Sequence, residues 1–345
     1  MKWNRKSPQS KKILCVLLLS AILLASCFFP LHAGAAGKSS GPARNQAQAE
    51  MRGVWFSFLN WQQFLKGKIE PEMKAAFSQI CDVALAQGCN AIFMHVRSHN
   101  DAVYPSGIYP WSTQMLGGNP GFDPLADFVS IAHAKGLAFH AWINPYGYRK
   151  GSYSGDPSLV SVANIVAGIQ EILIKYPVDG IHFDDYFPPL GTSVHNEMIR
   201  QVYALTHRYG KIFGISPTGN VENNIKMGAD VGTWLSTPGY LDYICPQLYW
   251  TNQHGKQGND PLYTRRLQQW IFLNKLGLPM FVGLASYRCG EKIPGDPGWQ
   301  LRNTNLYEQA LSAKKAGLSG YLLFDYASLL KPAAQNELAN LRLVK

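Results

Sequence analysis

The chain has 345 residues, 46% of them hydrophobic, and carries a formal net charge of +10. Length and apolar content supply a core for one large domain or two ordinary ones. The charge imitates a nucleic-acid binder, but Lys2, Arg5, Lys6, Lys11 and Lys12 precede any acidic residue and belong to a targeting segment. Without them 27 basic residues face 22 acidic ones, scattered and with no basic run. Nucleic acid is therefore not an expected partner, and the mild positive balance suits an anionic polymer such as cell wall.

Residues 1–35 form an expected export signal. The apolar stretch "ILCVLLLSAILLASCFF" follows Lys12 and gives way to small residues. Two processing routes fit. "LASC", ending at Cys27, has the form of a lipobox, and lipidated Cys27 would anchor the protein to a membrane. "AGA" at Ala33–Ala35, with Pro30 just upstream, suits ordinary cleavage and secretion; an uncleaved anchor is the third route. All three export the chain to the cell envelope or beyond. Residues 36–50 are small, polar and aperiodic, as a tether is. The four later cysteines, Cys81, Cys89, Cys245 and Cys289, match no disulfide framework or zinc motif and are expected as buried thiols.

From Met51 to the C-terminus one unit recurs: a short apolar run, a polar loop, then an amphipathic segment. The runs are "GVWFSFLN", "AIFMHVR", "AFHAWINPY", "GIHFDDYF", "KIFGISP", "LDYICPQLYW", "PMFVGLASY" and "GYLLFDYASLL". Segments such as "PLADFVSIAHAKG" and "LYEQALSAKKAG" lie between them and end in glycine, as helices do. Eight such units predict an α/β fold, a (β/α)8 TIM barrel forming a single domain over residues 51–345.

Strand alternation then sorts side chains by face. Ile92, Met94 and Val96 share one face of the second strand, which leaves His95 and Arg97 on the other. The same phase turns His140, Trp142 and Asn144 inward on the third strand, and His182, Asp184 and Tyr186 on the fourth. Ser216, Gln247 and Asp325 fall on the inward phase of strands five, six and eight. Polar residues thus gather on the interior phase near the C-terminal strand ends, where barrel active sites are built. Asp184 and Asp185 are adjacent carboxylates, a costly pairing that each pays in a raised pKa.

"MRGVWFSF", "HAWINPYGYR", "DGIHFDDYFPP", "ISPTGN", "DYICPQLYW" and "GLASY" resemble the bacterial glycosyl-hydrolase-like family ten. The likeness runs from about Met51 to about Leu330. It implies an exported barrel glycosidase without a cofactor or metal, and the family includes a divisome-associated lipoprotein that cuts peptidoglycan strands stripped of peptides. Asp179, Gly180 and Asp184 also resemble the fourth-strand motif of amylase-type enzymes, whose Asp there is the nucleophile. Chitinase-type enzymes carry a Glu two residues further on, where this chain has Tyr186, a departure from their mechanism.

Glycoside cleavage ordinarily uses one protonated and one ionised carboxyl group. Asp184 is the expected ionised member, with Arg97 and His182 as neighbours that hold its charge. Asp185, Asp325 and Glu222 are the candidates for the acid. Arg97, His99, His140, Asn144, Tyr146, His182, Tyr186, Gln247, Tyr249 and Trp250 are the candidates for binding sugar, and Trp111 and Trp299 are further stacking platforms. Two other classes compete. A metal-dependent amidohydrolase-type barrel would draw ligands from His95, His140, His182 and Asp325, although the first strand lacks the His pair such enzymes open with. A non-catalytic glycan-binding barrel would keep the aromatics without an acid.

Overall fold

The computed structural model describes residues 50–344. The export signal, Cys27 and all but the last residue of the tether lie outside the described residues. Eight parallel strands alternate with helices. They are β1 (Met51–Phe56), β2 (Ala91–Arg97), β3 (Ala138–Ile143), β4 (Gly180–Phe183), β5 (Ile212–Ile215), β6 (Tyr243–Ile244), β7 (Val282–Leu284) and β8 (Gly320–Leu323). Their order in the sheet is β6-β5-β4-β3-β2-β1-β8-β7. Bridges from Ile244 to Met280 and from Gln247 to Gly283 join the two ends and close the barrel.

The helices form where the sequence provides both an apolar stripe and a start signal. In α1 (Glu70–Ala86), Met73, Phe77, Ile80, Cys81 and Ala84 recur at helical spacing and are buried. Pro124 opens α2 (Pro124–Ala134), and the Asp123 side chain accepts the Ala126 N–H. Ser161 caps α3 (Val162–Lys175) in the same way and sends Ile165, Ile169, Ile172 and Leu173 inward. Among the described residues, the remaining α-helices of six residues or more are α4 (Thr192–Arg208), α5 (Val221–Lys226), α6 (Val231–Ser236), α7 (Leu262–Leu273), α8 (Asn305–Lys315) and α9 (Gln335–Leu341). Among the described residues no helix is long and apolar enough to cross a membrane. Cys81, Cys89, Cys245 and Cys289 are free and buried.

Large aromatics fill the barrel interior: Trp55, Phe93, Trp142, Tyr243 and Phe281, with Leu322. Burial of each apolar side chain of this kind contributes roughly 1.5–3 kcal/mol. Glycines make room for them. A Cβ on Gly214 would come within 2.3 Å of the Tyr243 ring, and one on Gly180 within 2.6 Å of His140 Nδ1.

Two inward histidines belong to this packing. His140 stacks on Phe93 with ring centroids 4.3 Å apart, and burial pushes its pKa down to about 4. The Trp55 indole N–H donates to His182 Nε2 at 3.2 Å, so the proton sits on Nδ1, 3.0 Å from the Tyr243 hydroxyl. Burial also holds His182 well below its usual pKa. Both are neutral core groups.

The β2–β3 register shifts between His95 and Arg97. This irregularity breaks simple alternation. His95 still points inward, but Arg97 turns away from the interior and lies 3.5 Å from the centre of the Tyr109 ring. Arg97 was expected beside Asp184; the register shift places it under the loop after β2 instead.

Candidate active site

Asp184 and Asp185 leave the tip of β4 just as its ladder ends, and both line a recess of about 420 Å3 at the barrel mouth. Trp55 and Trp142 reach it from the interior, Phe58 from the segment after β1, and His95 from β2. Arg149, Tyr186, Gln247, Tyr249 and Phe324, with Ser57 and Leu59 beside Phe58, complete the lining.

The carboxylates are held in an unequal relationship. The Asp185 backbone N–H donates to Asp184 Oδ1 at 2.9 Å. His95 Nδ1 accepts the Phe58 N–H at 3.1 Å, which leaves its proton on Nε2, 3.4 Å from Asp184 Oδ2. Burial, reinforced by Arg149 and His99, holds His95 well below its usual pKa, so it is neutral. It is also fixed in place by stacking on Trp142. Burial raises the pKa of Asp184, opposed by the Asp185 amide and side chain and by Arg149. Asp185 is pushed much further up, by burial first and then by the Asp184 charge and their mutual hydrogen bond. Of the two, Asp185 is the carboxyl whose protonated form is favoured more strongly, and Asp184 the one that ionises more readily. Because the two side chains bond each other, they stand on one flank of the recess rather than facing each other across it.

The neighbouring loops brace this tip. Tyr146 and His195 form a chain in which the Tyr146 hydroxyl meets His195 Nδ1 at 2.7 Å and His195 Nε2 donates to the Pro188 carbonyl at 2.9 Å. Tyr146 thus secures the turn following Asp185 and does not line the recess. Asn144 donates to the Tyr148 carbonyl at 3.1 Å. That bond anchors a short hairpin of Tyr148–Arg149 against Ser152–Tyr153, absent from the sequence expectations. Gly147, at φ +57°, lets the hairpin approach: a Cβ there would meet Asn100 Oδ1 at 2.3 Å. The hairpin delivers Arg149 to the recess, where its guanidinium lies 4.1 Å from the Phe58 ring centre and 4.7 Å from that of Tyr186.

Several other candidates fall elsewhere. Glu222 is on the exposed face of α5, paired with Arg266 at 2.8 Å. Its own helix-start amide and Arg266 lower its pKa, the opposite of what an acid catalyst needs. Asp325 accepts a hydrogen bond from Asn60 at 2.9 Å and stands at the start of the short helix Tyr326–Leu329, outside the recess lining. Burial raises its pKa. His99 bonds Ser98 and packs edge-on to Phe58 beside the recess. Trp250 faces Arg266 rather than the recess. Trp299 is wholly buried, and Trp111 packs against the core. Asp179 sits at the opposite end of β4, bound to His133 and the Phe139 N–H.

Of the candidate residues, the recess gathers Asp184, Asp185, Tyr186, Gln247 and Tyr249. Phe58, Arg149 and Phe324 join them without having been singled out as sugar-binding. Among the described residues, no three His, Cys, Asp or Glu side chains converge as a metal site would require.

A model of the family described as Glycosyl hydrolase-like 10 matches residues 50–155. The chain is 26% identical to a protein named glycosyl hydrolase DigH from Escherichia coli K12, over 95% of each chain. It is 27% identical to glycosyl hydrolase YngK from Bacillus subtilis, over 84% of this chain and 70% of that one. In fold it is similar to the crystal structure of a chitinase from Chromobacterium violaceum, with a TM-score of 0.54 at 12% identity, covering 85% of this chain and 98% of that one.

Proposed function

We propose, from the premise that this chain is a member of the glycosyl-hydrolase-like family 10, that it is an exported glycoside hydrolase acting on a cell-envelope polysaccharide. The proposed substrate is peptidoglycan glycan freed of its peptides. Export rests on the apolar segment after Lys12, and the lipobox at Cys27 would provide a membrane anchor. The observation that carries the reading is the adjacent Asp184–Asp185 pair, joined through the Asp185 amide and lining an aromatic recess.

In this mechanism Asp185 is the general acid. Its raised pKa keeps it protonated where an ordinary Asp would be ionised, so it has a proton for the departing glycosidic oxygen. Asp184 stays ionised, keeps that proton on Asp185 until it is needed, and stabilises positive charge developing at the sugar ring. With both carboxyls on one flank, the group that attacks the anomeric carbon comes from solvent or from the sugar itself. Trp55, Trp142 and Tyr249 offer rings for a pyranose face, and Gln247 and Tyr186 offer hydrogen bonds to its hydroxyls.

The amidohydrolase reading lacks a ligand set, because His140 is stacked in the core and His182 is engaged with Trp55 and Tyr243. A purely binding barrel would have no use for a carboxyl held protonated by its neighbour. The test incubates the purified domain with peptide-free peptidoglycan strands, chitin oligosaccharides and α-glucan oligosaccharides, with and without chelator. The expected result is new reducing ends that persist in chelator and fall at least ~100-fold in Asp184→Asn. Loss in chelator with recovery on zinc would favour the metal enzyme, and binding without cleavage the non-catalytic barrel.

A further inference from the structure

Arg149 touches no carboxylate among the described residues, and its charge acts on Asp184 only from beyond ion-pair distance. Among the described residues no carboxylate oxygen approaches its guanidinium within the 4.0 Å of an ion pair. Only one of its five N–H groups has a partner there, the Tyr186 hydroxyl at 3.2 Å. Phe58 and Tyr186 flank the guanidinium and the hairpin fixes its backbone, so the remaining donors are presented to the recess with little freedom to lose.

Glycoside cleavage builds positive charge at the sugar ring. A cation lining the same recess without a carboxylate in contact opposes that charge, and bound substrate that pairs with it removes the opposition. A planar guanidinium with adjacent free N–H groups matches a carboxylate, which it binds through two parallel hydrogen bonds. Asp184 accepts from the Asp185 amide and lies 3.4 Å from His95 Nε2, and its oxygens stay beyond ion-pair distance of Arg149.

We propose that Arg149 binds a carboxylate carried by the sugar in the recess, making the substrate an acidic glycan. The proposal rests on the glycosidase reading and deepens it. Such a carboxylate is the lactyl group of a muramic acid bearing no peptide, or the carboxylate of a uronic acid. Attachment of a peptide converts the lactyl carboxylate into a neutral amide, so Arg149 would distinguish bare strands from peptide-bearing ones.

The test measures binding calorimetrically in the Asp185→Asn background, where Asp184 keeps its charge and the ligand is not consumed. The probes are peptide-free peptidoglycan oligosaccharides, the same oligosaccharides with carboxyls amidated, and oligogalacturonate. The expected result is that amidation weakens binding about tenfold or more, that Arg149→Gln abolishes this difference, and that Arg149→Lys keeps part of it. Tighter binding of the peptidoglycan probe or of oligogalacturonate identifies the source of the carboxylate. Equal binding of charged and amidated forms, retention of the full difference in Arg149→Gln, or no binding of either form overturns the proposal. The glycosidase reading fails separately, if unsubstituted protein produces no new reducing ends from strands that bind with this preference.

Discussion

The backbone N–H of Asp185 donates to Oδ1 of Asp184, so the amide of the second residue helps to ionise the first carboxyl, whose charge in turn favours the protonated form of the second. In the proposed mechanism, sequence adjacency at a strand tip becomes a division of chemical labour. The consequences reach stability as well as turnover.

Stability should carry the signature of Asp185. A carboxyl whose native pKa lies above its unfolded value makes the native state the stronger proton binder between the two, so stability falls as pH rises through that interval. Asp185→Asn removes this contribution while keeping a hydrogen-bond donor toward Asp184. The variant should gain stability over unsubstituted protein as pH rises above the ordinary Asp range, with the gap closing at acid pH. Urea midpoints measured across that range check it.

His95 should set the acid limb of the rate profile. Its Nε2–H faces Asp184 and its neutral state is maintained by burial. His95→Phe preserves a ring to stack on Trp142 but removes the donor. The ionised form of Asp184 then loses support and its pKa rises, so the acid limb of kcat/KM should move to higher pH, with roughly tenfold lower activity below the optimum.

Glu222 and Asp325 should prove dispensable for proton transfer. Glu222→Gln removes an exposed ion pair with Arg266 and should leave turnover within about twofold and stability within ~1 kcal/mol. Asp325→Asn disturbs the contact with Asn60. It should lower stability, with turnover per folded molecule kept within about tenfold rather than lost. Activity normalised to folded protein distinguishes these outcomes.

The core histidine chain should act on stability without touching chemistry. Tyr243→Phe keeps the ring but leaves the buried His182 Nδ1–H without its acceptor. The expected cost is about 1–3 kcal/mol in denaturant unfolding, with normal turnover by the folded fraction.

Much of this arrangement was legible in the amino-acid order because the eight strands repeat a strong local signal. Alternation correctly turned His95, Trp142, His182 and Asp184 inward. It failed at Arg97, because a register shift after His95 changes the phase and nothing in "AIFMHVR" announces it. Alternation also gives direction without depth: His140 and His182 point inward yet belong to the packed core. Loop positions were hardest. Tyr146 and Asn144 had suitable chemistry for sugar binding, but their partners His195 and Tyr148 were determined by loop geometry. Arg149 left a usable trace, since "YRKGSY" carries a Lys-Gly turn between two tyrosines, as a hairpin does.

The division of roles between Asp184 and Asp185 is tested most directly by comparing two leaving groups in two variants. An aryl glycoside with a good leaving group departs without a proton, whereas a glycan does not. Asp185→Asn should lose at least ~100-fold on peptide-free glycan yet stay within about tenfold of unsubstituted protein on the aryl glycoside, while Asp184→Asn loses at least ~100-fold on both. Equal losses by Asp185→Asn on the two substrates, or near-normal turnover of either by Asp184→Asn, would contradict the account.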